Sequence, residues 1–253
     1  MLVLLSCAKT MNDKTKVPMP ETSEPAFNKE ASAIAVAMSQ FSVEDLEQTL
    51  NINAKIAVEN YKRFQVFHSG QTPGLPAVLA YTGIVFKRLN PGEFTKEDFR
   101  YAQSHLRLTS FCYGLLRPMD IIKPYRLEGD IKLPELGNTS LFNYWKPLLT
   151  DHFIRDIKAA GGVLCYLASE EMKNLFDWKK VSREVRIITP EFRVRRNGKW
   201  ITIVIYAKMS RGEMTRYILK NRITDPEKLK SFTWEGFEYN EKLSDGDRMV
   251  FTN

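Results

Sequence analysis

A chain of 253 residues with 43% hydrophobic content can bury a sizeable core, and no apolar stretch approaches the roughly 18 residues that span a bilayer, so a soluble protein is expected. Three scattered cysteines, Cys7, Cys112 and Cys165, with no CxxC spacing, argue against a disulfide framework and against a zinc site, and imply a reducing compartment. The formal charge of +7 is concentrated: Lys173 to Arg222 holds 14 Lys and Arg against 4 Asp and Glu, which suits nucleic acid better than a membrane surface, a solvated basic face being the plain alternative.

In chain order, Leu2 to Leu5 reads as a short buried strand rather than a secretion signal, since the apolar run is brief and no basic residue precedes it. Met11 to Ala26, rich in Pro, Thr and charge, reads as a long surface loop. Phe27 to Phe67 is helical in pattern, with Ser42 and Asn53 as N-caps, and HSGQTPGLP closes it. Ala77 to Tyr81 and the run around Val85 and Phe86 read as short strands separated by Gly83. Thr95 with Asp98 forms a capping box for a helix carrying Phe99, Ala102 and Leu106 on one side. Ser140 caps a helix that ends near Ala159 before Gly161-Gly162, and the continuous apolar run VLCYLAS reads as a strand covered on both faces. Ser169 followed by two glutamates fits a helix start. Asn197-Gly198 joins two alternating runs, RIITPEFRVRR and KWITIVIY, as a hairpin whose tip carries Arg195, Arg196 and Lys199. Lys208 to Arg222 is helical, with Lys208, Arg211, Thr215 and Arg222 in one stripe and Met214, Tyr217 and Ile218 in the next. Two short strand-like runs, Phe237 to Tyr239 and Met249 to Phe251, end the chain. The expected fold is one α/β domain over residues 1–253, a mixed sheet surrounded by helices rather than a doubly wound parallel sheet.

Chemistry concentrates in three places. Ser6, Lys9 and Thr10 follow the first strand; no glycine lies between Met1 and Gly70, so a glycine-rich phosphate loop is excluded, but three side-chain donors remain at a strand end, against the alternative of a solvated loop lysine. Cys7 beside Lys9 is either a small buried thiol or a nucleophile. Arg107 to Glu128 gathers Arg107, Arg117, Lys123 and Arg126 with Tyr113 and Tyr125 among turn formers, facing either an anion or its own carboxylates Asp120 and Glu128, which are then an acid or base, or pins for the loop. Within it, Ser110 to Gly114 has the outline of a helix-hairpin-helix with a single glycine. With His68, His105 and His152 in no motif, no metal site is expected.

The segments SCAKT, LRLTSFCYGLLRPMDIIKPYRLE, LFNYW, YLASEE, YAKMSRGEMTRYI and FTWEGFEYN, in this order and across nearly the whole chain, resemble the YaaA peroxide-stress family, also grouped as proteins of unknown function. The resemblance implies a bacterial cytoplasmic protein induced by hydrogen peroxide that limits free iron and Fenton damage and binds DNA, duplex or distorted, in a positively charged cleft of an unusual α/β fold with a helix-hairpin-helix element; no cofactor is expected. The positions it carries over are Ser6, Lys9 and Thr10; Arg107, Tyr113, Gly114, Arg117, Asp120, Tyr125, Arg126 and Glu128; and Lys208, Arg211, Gly212 and Arg216. Cys7 stands where the family usually has proline, and Phe111 where its middle motif usually has glycine, so a Cβ sits where a positive φ would exclude it. Two further readings stand beside DNA binding: an enzyme acting on a phosphorylated or nucleotide-like small molecule in the same basic cleft, with Asp120 or Glu128 as base, and a redox partner protein with Cys7 as sensor.

Overall fold

The computed structural model describes residues 1–70 and 72–253; Gln71, inside the HSGQTPGLP stretch, lies outside the described residues. The first strand, β1 (Leu2–Leu5), is buried on both faces and leads into the surface segment that ends at α1 (Asn28–Ser39). Two caps then start helices where the sequence places them. Ser42 and Asp45 form a reciprocal capping box for α2 (Val43–Leu50), and the Asn53 side chain accepts from the Ile56 amide to open α3 (Ala54–Gln65).

The next segment departs from expectation. After β2 (Leu75–Pro76), the apolar runs expected as strands are helical: α4 (Ala77–Ala80) is a single turn, and α5 (Ile84–Leu89) starts at Gly83, whose φ of +106° suits glycine. Runs of four or five apolar residues carry no period that separates helix from strand, and here the tertiary context decides. Thr95 and Asp98 make the expected capping box of α6 (Lys96–His105).

Leu106–Ser110 is β3 and Gly114–Leu116 is β4, paired antiparallel in register Leu108 to Leu116, so the outline read as a helix-hairpin-helix is a β-hairpin. Its turn takes Gly114 at φ +71°, and Phe111 is absent from the positive-φ residues, so the substituted position is unstrained. Short strands β5 (Ile121–Ile122), β6 (Lys132–Leu133) and β7 (Thr139–Ser140) precede α7 (Leu141–Ala159), whose start Ser140 caps and which ends before Gly161-Gly162 as read from the sequence.

The strand β8 (Val163–Tyr166) is followed by a 3-10 turn from Glu170 to Leu175 and by α8 (Trp178–Glu184). Asn197-Gly198 joins β9 (Arg186–Arg196) to β10 (Lys199–Ile201) as expected, with both turn residues at positive φ. Pairing stops at Ile201, however, and the rest of the expected strand opens the helix α9 (Val204–Lys220). The chain closes with β11 (Glu238–Tyr239) and β12 (Arg248–Thr252).

The main sheet has eight strands in the order β11, β12, β9, β8, β1, β3, β4, with β10 on β9. It is mixed, as expected, but its five central strands, β12, β9, β8, β1 and β3, run parallel. Counted along the chain, those five lie second, first, third, fourth, fifth across the sheet. Between β1 and β8 the winding reverses, and open α/β sheets of this order leave a crevice at the carboxyl ends of the strands that flank such a point. Helices α6 and α9 pack on one another, α6 also against β1 and β3 and α9 against β9; α7 and α8 form the second group, against β8 and β9. The buried apolar residues make one continuous cluster from Met1 to Phe251. No helix among the described residues is long and apolar enough to cross a membrane.

Candidate anion-binding site

The crevice at the carboxyl ends of β1 and β8 opens into a cavity of about 340 Å³. Four stretches, the single residue Phe111 and one helix line it: Leu5 to Thr10 at the end of β1, Thr82 to Phe86 at the start of α5, Tyr125 to Glu128, Leu167 to Met172 after β8, and Lys208 with Arg211 on α9. Spacing of three places Lys208 and Arg211 on the same side of the helix.

Each stretch is held by hydrogen bonds that leave its functional groups at the mouth. The Ser6 hydroxyl accepts from the Ser169 amide at 2.8 Å and lies 3.1 Å from the Ser169 hydroxyl, tying the β1 loop to the β8 loop. The Thr82 amide donates to the Thr10 carbonyl at 2.9 Å and the two hydroxyls meet at 2.7 Å, which ties the β1 loop to α5. Asn60, fully buried, grips the backbone of Arg126 in both directions, donating to its carbonyl and accepting from its amide at 2.9 Å each. The Tyr125 hydroxyl sits between Tyr81 and Ser110 at 2.6 Å from each.

Charge at the site is cationic in excess. Glu128 takes Lys9 at 2.9 Å and Arg126 at 3.1 Å on one carboxylate oxygen. Lys208 and Arg211 have no ion pair among the described residues, and burial pushes the Arg211 guanidinium down from its ordinary pKa while leaving it charged at neutral pH. The Arg126 Nε is buried and has no hydrogen-bond acceptor among the described residues. Cys7 is among the residues lining the cavity, and burial pushes its thiol from 9.0 to about 12, which favours the protonated thiol at neutral pH.

Of the residues singled out from the sequence, Ser6, Lys9, Thr10, Tyr125, Arg126, Glu128, Lys208 and Arg211 come together here. The others do not. Arg107 donates to Asp156 at 2.6 Å and to the Gln103 and Leu106 carbonyls, pinning β3 to α7. Arg117 pairs with Asp120 at 2.9 Å, and Asp120, 1% exposed, also accepts from the Arg117 amide and the Ser23 hydroxyl, so this carboxylate pins a loop. Tyr113 accepts from the Lys123 amide at 2.9 Å beside a different cavity. Arg216 closes on the end of α5, donating to the Asn90 carbonyl at 3.1 Å and pairing with Glu93 at 2.5 Å. Gly212 is a packing residue, because a Cβ there would run into the Val85 carbonyl. Sequence reasoning passed over Thr82 to Phe86, Asn60 and Glu171; the TGIVF run between two turns was the one available signal for the first of these. No cluster of His, Cys, Asp and Glu suited to a metal ion is present among the described residues.

Fold and site together define a mixed α/β protein with a cationic cavity at the switch point of its parallel strands. The chain belongs to the peroxide stress protein YaaA family, whose model matches residues 1–243. It is 68% identical over 253 residues to a UPF0246 protein of Bacteroides fragilis, covering 100% of this chain and 98% of that one. A UPF0246 protein of Porphyromonas gingivalis is 46% identical over 253 residues, with 99% of each chain covered, and one of Saccharophagus degradans is 37% identical over 255 residues, with 100% and 99% covered.

Proposed function

We propose that this protein acts as a single domain in the cytoplasmic peroxide response, binding DNA through a basic face and so helping to limit iron-driven oxidative damage. The observation that carries this reading is the β9–β10 tip. Arg195, Arg196 and Lys199 are exposed there and make no ion pair among the described residues, whereas Arg107, Arg117, Arg126, Arg216 and Arg222 are all paired. Arg195 lies 6.0 Å from the centre of the Trp200 ring, and the chain runs on through exposed Ile201, Val204, Ile205 and Tyr206 to Lys208. Cations interleaved with an aromatic ring and apolar side chains suit a phosphate backbone with partly unstacked bases. Anisotropy titration of a labelled duplex and a bubbled duplex across salt tests the reading. With about five phosphate contacts, log affinity falls against log salt with a slope near −4 to −5. Replacing Arg195, Arg196 and Lys199 by glutamine makes that slope shallower by about 3. A salt-insensitive complex, or no binding at about 50 mM salt, overturns it.

A second reading is favoured by the cavity itself. Its volume of about 340 Å³ admits no duplex and sits within the range of about 300–1,000 Å³ typical of small-molecule sites. An enzyme or binder of a small phosphorylated molecule fits that space, with Glu128 as its carboxylate, while Asp120 does not line the cavity and is buried against Arg117 and Ser23.

A further inference from the structure

We infer that the cavity at the carboxyl ends of β1 and β8 binds a nucleoside 5′-monophosphate, free or at the 5′ end of a nucleic-acid strand, with its phosphate at the Lys9, Lys208 and Arg211 mouth and its base on the apolar floor. The inference rests on the second reading above, that the cavity takes a small phosphorylated ligand, and adds what is attached to the phosphate.

Polarity divides the cavity by depth. Phe86, Phe111, Leu127, Leu167 and Met172 are buried and form its floor, whereas Lys9, Thr10, Glu171 and Lys208 are exposed at its mouth. A ligand that fills it therefore has an apolar body of ring size at one end and an anion at the other. Four cations, Lys9, Arg126, Lys208 and Arg211, stand against two carboxylates, Glu128 and Glu171, leaving an excess that matches the charge of about −1.5 to −2 carried by a phosphate monoester at neutral pH. The position between β1 and β8 is the one at which parallel sheets of this strand order seat a mononucleotide. A volume of about 340 Å³, near the lower end of the range of about 300–1,000 Å³ for ligand sites, takes one nucleotide and leaves out a dinucleotide. Ser6 with Ser169 and Thr10 with Thr82 add two hydrogen-bonded hydroxyl pairs to the lining, whose remaining lone pairs suit a ribose.

The test is calorimetric titration of the full chain with the four ribonucleoside 5′-monophosphates, adenosine, ribose 5-phosphate and inorganic phosphate. At least one monophosphate is expected to bind about tenfold or more tighter than ribose 5-phosphate, inorganic phosphate or adenosine. Lys208→Ala, at an exposed position that does not endanger folding, weakens that binding by about tenfold with an unchanged circular dichroism spectrum. Competition by a 5′-phosphorylated oligonucleotide, but not by its 5′-hydroxyl counterpart, assigns the strand end as source, and failure to compete assigns the free nucleotide. Equal affinity for the nucleoside monophosphates, ribose 5-phosphate and inorganic phosphate overturns the nucleoside assignment while leaving the phosphate site standing. No binding of any phosphate overturns both.

Discussion

Asp120 accepts from the Arg117 amide at 2.8 Å, from the Arg117 side chain at 2.9 Å and from the Ser23 hydroxyl at 2.6 Å while only 1% exposed. The Arg117 side chain is 39% exposed and stays hydrated when the carboxylate goes, so the cost is that of leaving the Ser23 hydroxyl and the Arg117 amide without their acceptor, about 1–3 kcal/mol. Asp120→Ala is therefore expected to lower the urea midpoint markedly and to leave phosphate binding in the cavity unchanged in the folded fraction, both readable in one denaturation and titration series. Lost phosphate affinity without lost stability would place Asp120 in the site instead. Cys7 belongs to the same scale. Burial pushes its thiol to about 12, so iodoacetamide at pH 7.5 is expected to leave Cys7 unmodified in the native protein over a time that alkylates it fully in urea, as mass spectrometry would show. Rapid native labelling would restore the sensor reading. These residues show what was legible in the site. Ser6, Lys9, Thr10, Tyr125, Arg126, Glu128, Lys208 and Arg211 share one cavity as their motifs suggested, but Arg107 and Arg216 find Asp156 and Glu93 across 49 and 123 positions of chain, a separation that no motif encodes.

Elements were legible where local chemistry specifies them. Ser42, Asn53, Thr95 and Ser140 each cap the helix assigned to them, and Asn197-Gly198 turns the assigned hairpin. Illegible were the elements that only a neighbour defines. Short α5 is a helix because α9 lies against it, and that approach depends on Gly212, whose missing side chain leaves room for the Val85 carbonyl. The expected strand KWITIVIY splits for a related reason: among the described residues β10 pairs with β9 alone, and beyond Ile201 that pairing ends, leaving Val204, Ile205 and Tyr206 to begin a helix at 65%, 49% and 44% exposure. Gly212→Ala sits well with helix propensity, which alone would favour it by up to about 1 kcal/mol. The collision with backbone outweighs this, since overpacking costs about 1–3 kcal/mol and a carbonyl cannot rotate aside as a side chain can. A fall in Tm of several degrees, about 2–4 °C per kcal/mol at this size, is the expected calorimetric result. Because α5 begins in the cavity wall, the same variant weakens phosphate binding; a neutral or raised Tm would show that α5 and α9 are not pressed together as described.

Over the whole molecule, the same burial that keeps Cys7 protonated acts on a connected set of groups in and beside the sheet. Cys7, Cys112 and Cys165 are all pushed up by burial, as are Tyr81, Tyr113, Tyr125 and Tyr166. Tyr81 and Tyr125 feel each other besides, being linked at 2.6 Å through their hydroxyls. An acid whose folded pKa lies above its unfolded one binds its proton more tightly in the native state. Its contribution to stability is complete below the unfolded pKa and is lost as pH rises toward the folded one. The thiols therefore begin to weaken the fold above 9.0 and the phenols above 10.0. Each such group withdraws up to about 1.4 kcal/mol per pH unit as its unfolded form ionises, so the three thiols alone remove about 3 kcal/mol between pH 9 and pH 10. Against a marginal stability of about 5–15 kcal/mol, with four phenols joining above pH 10, cooperative unfolding is expected near pH 10–11. Tyrosinate absorbance near 295 nm, followed with far-ultraviolet circular dichroism on one pH series, checks this, because the buried phenols can ionise only as the helical signal collapses. Buried tyrosinate forming well before that collapse would mean that the Tyr81, Tyr125 and Ser110 hydroxyl chain behind the cavity admits water in the native state, and that the cavity floor is more open than its lining implies.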